Sequence, residues 1–349
     1  MKRMALVLAG VLVLVLVGSS WWLTRPLFDM RLEGSPLDGV EILPVDQGLT
    51  FARLKDGRLL LITGVEADGV RALDVSEMEG RAYSDPVVAL TFLGYDRLDY
   101  LARRSASSVV PFTQLGPPVV SASTPIAAGT NYRAHAEEVG LDGLPFLFPK
   151  RSAPSAWNAP VQARGRFDYE VELCAVPLST VTADRTASHG YVLCNDFTDR
   201  WPLARDTDFD QPMGTTGFVD AKGGEGMLPL GALFVVPRDE SAFIGAVRLE
   251  LFVNGRLRQQ SDASLMTWSA TEIARQAMQA CEQPYQSEAG ELRIGACDRV
   301  RAGTILLTGT PAGVLFHPVT IWNPWAYLGS GDVVVARARW LGALVNTVE

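Results

Sequence analysis

The chain has 349 residues, 48% apolar and 20% charged, long enough for one large core with a smaller lobe beside it. Its formal net charge of −8, with no basic run beyond the N-terminus, argues against nucleic acid as a partner. No segment is repeated or of low complexity.

From the N-terminus, Met4 to Leu23 carries no charge, with Lys2 and Arg3 before it and Arg25 after it. About 20 helical residues at ~1.5 Å each match a bilayer core of roughly 30 Å. Residues 1–25 are therefore expected to form a membrane anchor or an uncleaved signal, with Trp21 and Trp22 at the far interface. The rest of the chain would then face the periplasm or cell exterior. A cleaved signal peptide is the rival, although Val17-Gly18-Ser19 is a poor cleavage site.

Residues 26–118 read as a linker and a small β-rich lobe. Short strand runs (FARLK, LLLITGV, GVRALDV) alternate there with turn pairs at Asp56-Gly57 and Asp68-Gly69. A stretch rich in Pro, Ser and Gly over 109–128 marks the boundary, and residues 119–349 form the main domain. Within it, Asn254-Gly255 between LELFV and RLRQ is a type I′ hairpin signal. Ser269 and Glu272 form a capping box that opens a helix with Ile273, Ala277 and Ala280 on one face. The fold class expected is α+β, β-dominated.

The four cysteines fall in two pairs. Cys281 and Cys297 bracket a polar loop, which in an oxidising compartment reads as a disulfide. Cys174 and Cys194 are each two residues from a candidate ligand; antiparallel strands with the ligands opposite would set their sulfurs opposite each other on one face, but we read them as small buried hydrophobes.

Glu170 and Glu172 in DYEVELCAV sit at i and i+2 of a strand, so both project to one face. With Asp196 in GYVLCND they can surround one hard cation, a set suited to Mg2+ (or Mn2+/Ca2+) that leaves positions open for water or substrate. E-x-E alone is also the pattern of a solvated strand face.

GTNYRAHAEEVGL (129 to 141), FLFPK (146 to 150), DYEVELCAV (168 to 176), GYVLCND (190 to 196), AKGGEGMLPLG (221 to 231), LELFVNGRLRQ (249 to 259) and ILLTGTPAGV (305 to 314) follow one another in that order. Order and spacing resemble the fumarylacetoacetate hydrolase family, a superfamily of acylpyruvate hydrolases and 2-oxo acid decarboxylases and isomerases. The resemblance covers roughly residues 120 to 349, and 40 to 120 more faintly. It implies a mixed β-roll catalytic domain with a metal near its mouth, held by Glu170, Glu172 and Asp196. His135 and Glu138 resemble the family's water-activating pair, three apart on one side of a helical turn. Lys222 matches the lysine that faces a developing enolate, and Thr310 the residue that binds a substrate carboxylate. Lys150 and Arg200 are further substrate-binding candidates, and Gly309 and Gly313 serve backbone conformation. His189 and His317 lie outside the motif positions and read as structural or surface residues.

Three positions depart from the pattern. Trp201 and Leu203 stand where relatives commonly carry Asp and Gln, and Arg151 follows FLFPK where proline is common. The function implied is metal-dependent hydrolysis of a carbon–carbon bond in an acylpyruvate-like 1,3-dicarbonyl acid. Decarboxylation, isomerisation or hydration of a related 2-oxo acid is an alternative, as is a membrane-tethered binding protein that has lost turnover. A small 2-oxo acid is the expected partner, the membrane another through the N-terminal helix, and a homodimer is compatible with the family.

Overall fold

Two strand periodicities, one alternating and one continuously apolar, organise the computed structural model, which describes residues 2–26, 28–104, 106–141 and 144–349. The chain opens with α1 (Lys2–Leu23), then β1 (Gly48–Leu54), β2 (Leu59–Glu66), β3 (Gly69–Asp74), α2 (Val75–Glu79), α3 (Pro86–Arg104), β4 (Ser108–Pro111) and β5 (Leu115–Gly116). The central part comprises β6 (Ile126–Gly129), α4 (Arg133–Glu138), β7 (Phe146–Pro149), β8 (Phe167–Asp168), β9 (Val171–Pro177), β10 (His189–Asn195), β11 (Thr198–Asp199), α5 (Arg200–Asp206), α6 (Phe218–Ala221) and β12 (Leu230–Pro237). Last come α7 (Glu240–Ala246), β13 (Arg248–Val253), β14 (Arg256–Asp262), α8 (Ala270–Gln279), β15 (Leu306–Leu307), β16 (Val333–Ala338) and β17 (Gly342–Thr347). The fold is α+β and strand-dominated, as expected.

The large sheet runs β4-β3-β2-β1-β12-β10-β9-β15-β6-β7, with β5 paired to β1. It is mixed, since β15 and β6 run parallel while β15 and β9 are antiparallel. A second sheet, β14-β13-β16-β17, packs on its middle strands. Residues of β9, β10 and β12 are therefore buried on both faces, which is why they read as unbroken apolar runs. The strands within residues 26–118 prolong the large sheet through the β1–β12 pairing.

Local signals hold where a specific backbone geometry is needed. Asn254 and Gly255 both adopt positive φ, 50° and 74°, and close the β13–β14 hairpin. Ser269 accepts the Glu272 N–H and caps α8, whose Ile273, Ala274 and Ala277 are buried. The helix α3 has no counterpart in the sequence reading. Gly94, at φ 74° and ψ 162°, interrupts it and breaks the 3.6-residue period that would have disclosed it.

The expected membrane anchor is not upheld, and with it falls the placement of the domain on the periplasmic or outer face. Among the described residues no helix is long and apolar enough to cross a membrane. Val11 to Val17 of α1 are for the most part exposed. The next turn belongs to the protein. Ser20 is fully buried and accepts a bond from Asn323 Nδ2 at 2.9 Å, and Arg258 donates to the Thr24 carbonyl.

Cys281 and Cys297 form the expected disulfide, with Cα atoms 5.0 Å apart. Cys174 and Cys194 are also joined, a correction to their reading as separate hydrophobes. Cys174 faces Val192 and Cys194 faces Glu172, so the two cysteines are diagonal neighbours across β9 and β10, Cα atoms 5.9 Å apart and within bridging reach.

Replacing Cys281 and Cys297 together by serine is expected to lower unfolding stability by about 3 kcal/mol, the loop-closure contribution for a loop of this length. Denaturant titration of the oxidised parent and the double variant checks this. Equal stability would contradict a native bridge.

Candidate active site

Pairing of β9 with β10 sets the carboxylates. Asn195 lies opposite Val171, and the Asp196 N–H donates to the Glu170 carbonyl at 2.9 Å, so Asp196 sits beside Glu170. Glu170 and Glu172 flank Val171 and reach the same side, as the i, i+2 spacing requires. All three are nearly fully buried, and their ligand oxygens lie within 4.8 Å of one another. A fourth carboxylate, Asp168, continues the same alternation and is fully buried. The sequence reading missed it, although DYEVE places it at the same period of two.

Three buried cations answer them. Arg200 donates to Asp168 at 2.8 Å and to Glu170 at 2.5 Å. The Lys222 ammonium donates to Glu170 (2.6 Å), Asp196 (2.7 Å) and the Thr198 hydroxyl (2.8 Å). Lys150 Nζ lies 2.5 Å from Asp196 Oδ1 and donates to the Phe197 carbonyl at 3.1 Å. Counted as fully ionised, the four carboxylates and three cations carry a formal charge of −1, and among the described residues no cation is bonded to Glu172. Burial first, and then the neighbouring Asp196 and Glu170, push its carboxyl well above the usual range. Burial also raises Glu170, but Lys222 and Arg200 outweigh it and hold that carboxyl low.

The donor set fits a hard divalent ion. It is all carboxylate oxygen, and among the described residues Glu172 has no cation bonded to it.

Glu170, Glu172, Asp196, Arg200 and Lys222 form the floor of a cavity of about 300 Å³. His135 opens onto it from α4, its Nδ1 3.1 Å from Glu138 Oε2, while Glu138 Oε1 accepts the Gly313 N–H at 2.9 Å. Thr130 turns the chain from β6 into this helix at φ 51°, a left-handed conformation unusual for a β-branched residue. Asn131 then ties the turn down, donating to the Thr308 and Trp268 carbonyls. From the opposite wall, the Gly309 N–H donates to Glu172 at 2.8 Å. Gly309 needs its positive φ of 87°, and a Cβ there would meet Asn131 at 2.7 Å.

The candidates thus divide. Glu170, Glu172, Asp196, His135, Arg200, Lys222 and Thr310 all line the cavity. Lys150 does not reach it: the side chain is fully buried behind Asp196, where burial pulls its pKa down to about 8 against the opposing Asp196 charge. The Thr310 hydroxyl donates inward to the Val171 carbonyl and accepts from Gln259 Nε2, which leaves its backbone N–H as the group free for a ligand. Buried Gln259 clamps this loop onto β9, a role that no motif disclosed. His189 is remote, bonded to Glu240 through Nδ1. Leu203 and Trp201, the two departures, lie on α5, where Leu203 lines the cavity and Trp201 packs edge-on against Trp322.

The profile of the family described as "Fumarylacetoacetate (FAA) hydrolase C-terminal" matches residues 124–349. The chain is 26% identical over 237 residues to the oxaloacetate tautomerase of Bacillus subtilis strain 168, covering 64% of this chain and 68% of that one. Its fold matches a maleylpyruvate hydrolase from Sphingobium sp. SYK-6 (TM-score 0.57, 20% identity) over 86% of this chain and 98% of that one. It also matches a fumarylacetoacetate hydrolase from Exiguobacterium antarcticum (TM-score 0.55, 23% identity) over 86% and 99%.

Glu172→Ala is expected to abolish Mg2+ binding, because it would remove one of three candidate carboxylate ligands. His135→Ala should leave that affinity unchanged. Calorimetric titration of both variants with Mg2+ checks the assignment, and parental affinity in the Glu172 variant would contradict it.

Proposed function

The chain belongs to the fumarylacetoacetate hydrolase family, and from that premise we propose a divalent-metal-dependent hydrolase that cleaves a carbon–carbon bond in an acylpyruvate-like 1,3-dicarbonyl acid. The observation that carries this reading is the meeting, on one cavity, of a buried three-carboxylate cluster and a His–Glu pair. Glu170, Glu172 and Asp196 would hold Mg2+, or Mn2+ or Ca2+ in its place. When bound, such an ion supplies a Lewis acid for the negative charge that builds on a 2-oxo acid. With a divalent ion, the excess charge of the floor becomes positive by one, which attracts an anionic substrate to this end.

The chain's own residues account for the remaining steps. Glu138 bonds His135 Nδ1 and so leaves Nε2 as the basic nitrogen. His135 takes a proton from a water molecule whose oxygen adds to the substrate carbonyl farther from the carboxylate. The bond between that carbon and the methylene then breaks, and its electron pair stays on the pyruvate fragment as an enolate. Lys222 and Arg200 supply fixed positive charge where the enolate forms. The proton held by His135 returns to the methylene carbon, so acylpyruvate and water yield a carboxylic acid and pyruvate. The Thr310 N–H would orient the substrate carboxylate.

A second reading is keto–enol interconversion or decarboxylation of a 2-oxo diacid. It is supported by the name of the Bacillus subtilis relative and would use His135 to move the proton. Assaying the full chain with acetylpyruvate, fumarylpyruvate and oxaloacetate in the presence of Mg2+ decides between them. Pyruvate release from acetylpyruvate, lost on chelation, is expected. Activity on oxaloacetate alone would replace the hydrolase reading with the second, and turnover of none of the three would contradict both.

His135→Ala should lower kcat for the hydrolysed substrate by roughly 10²–10⁴-fold, the usual loss for a general base. Single-turnover kinetics at saturating Mg2+ check this, and a rate within threefold of the parent would remove His135 from the mechanism.

A further inference from the structure

The cavity has two chemically opposite ends. Among its described lining residues the cations are Arg200 and Lys222, and both are bonded to carboxylates at the floor. From the floor an aromatic wall leads outward without interruption. The Lys222 ammonium lies 5.4 Å from the Phe148 ring centroid, Phe148 is 5.1 Å from Phe218, and Phe218 is 5.1 Å from Phe146 in an edge-on contact. Leu203, Phe209, Met213 and Ile321 complete the outer part. Leu203 is itself one of the positions where a polar residue was expected from the sequence pattern.

We infer that this outer part is a subsite for an apolar substituent, so that the substrate is an acylpyruvate whose acyl group is alkyl or aryl, with no second carboxylate. The inference rests on the hydrolase reading for which end of the substrate lies at the floor. A terminal carboxylate placed against Phe146 and Phe218, beyond the Lys222 ammonium, would lose much of its water and meet, among the described lining residues, no cation that is not already bonded to a floor carboxylate, which is unfavourable. A hydrocarbon in the same place gains roughly fourfold in affinity per buried methylene. The aromatic rings offer flat, rigid surface to such a group at little conformational cost.

Two six-carbon 2-oxo acids that differ only at the far end isolate the effect. 2-Oxohexanoate ends in a methyl group and 2-oxoadipate in a carboxylate. Calorimetric titration of the full chain with each, in the presence of Mg2+, is expected to show 2-oxohexanoate binding at least tenfold more tightly. Phe209→Arg, at a residue 74% exposed on the cavity wall, should narrow that ratio at least threefold by supplying a cation. Equal or tighter binding of 2-oxoadipate by the parent, or no measurable binding of 2-oxohexanoate, would overturn the inference. The hydrolase reading fails separately. A chain that prefers 2-oxohexanoate yet leaves acetylpyruvate intact keeps the subsite and loses the reaction, whereas one that hydrolyses acetylpyruvate yet prefers 2-oxoadipate does the reverse.

Discussion

Four carboxylates, Asp168, Glu170, Glu172 and Asp196, are buried together at the ends of adjacent strands, and the structure around them is organised by the need to tolerate that. Isolated charges in an interior are prohibitively costly, so each must be paired, neutralised or bound to a metal. Arg200, Lys222 and Lys150 compensate most of the charge, and a backbone N–H from Gly309 reaches Glu172. What remains is Glu172, bonded to no cation among the described residues, whose carboxyl burial and the neighbouring Asp196 and Glu170 push up. A divalent cation would complete the balance.

Holding that cluster in register falls to groups that carry no chemistry of their own. The β9–β10 ladder aligns Glu170 with Asp196, and the Cys174–Cys194 bridge pins the same two strands just inside the carboxylates. Gln259 accepts the Val171 N–H and donates to Thr310 and Pro311, so the loop facing the carboxylates is fastened to the strand that bears two of them. Asn131 does the same for the turn that delivers His135. Each is a buried amide with its bonds satisfied, the condition under which a polar group rigidifies a core instead of weakening it.

Much of this was legible in the sequence where a short-range rule applies. The i, i+2 spacing put Glu170 and Glu172 on one face, Asn254-Gly255 announced its hairpin, and His135 and Glu138 met one helical turn apart. Long-range or irregular features were not. Gly94 hid α3 by breaking its period, and the role of Asp168 rests on its partner Arg200, 32 residues further along the chain. The Cys174–Cys194 bond needed the strand register, which places the pair diagonally. The N-terminal segment was misjudged because hydropathy records composition and not docking: Ser20 is buried against Asn323.

The central claim is that the carboxylates of Glu170, Glu172 and Asp196 are one metal site. Anomalous diffraction at the manganese edge from crystals of the full chain grown with Mn2+ tests it most directly. The account predicts a single strong peak bonded to those three side chains, with the Lys222 ammonium moved off Glu170 and Asp196 by charge repulsion. A peak elsewhere, or none while Lys222 still bridges the two carboxylates, would contradict it.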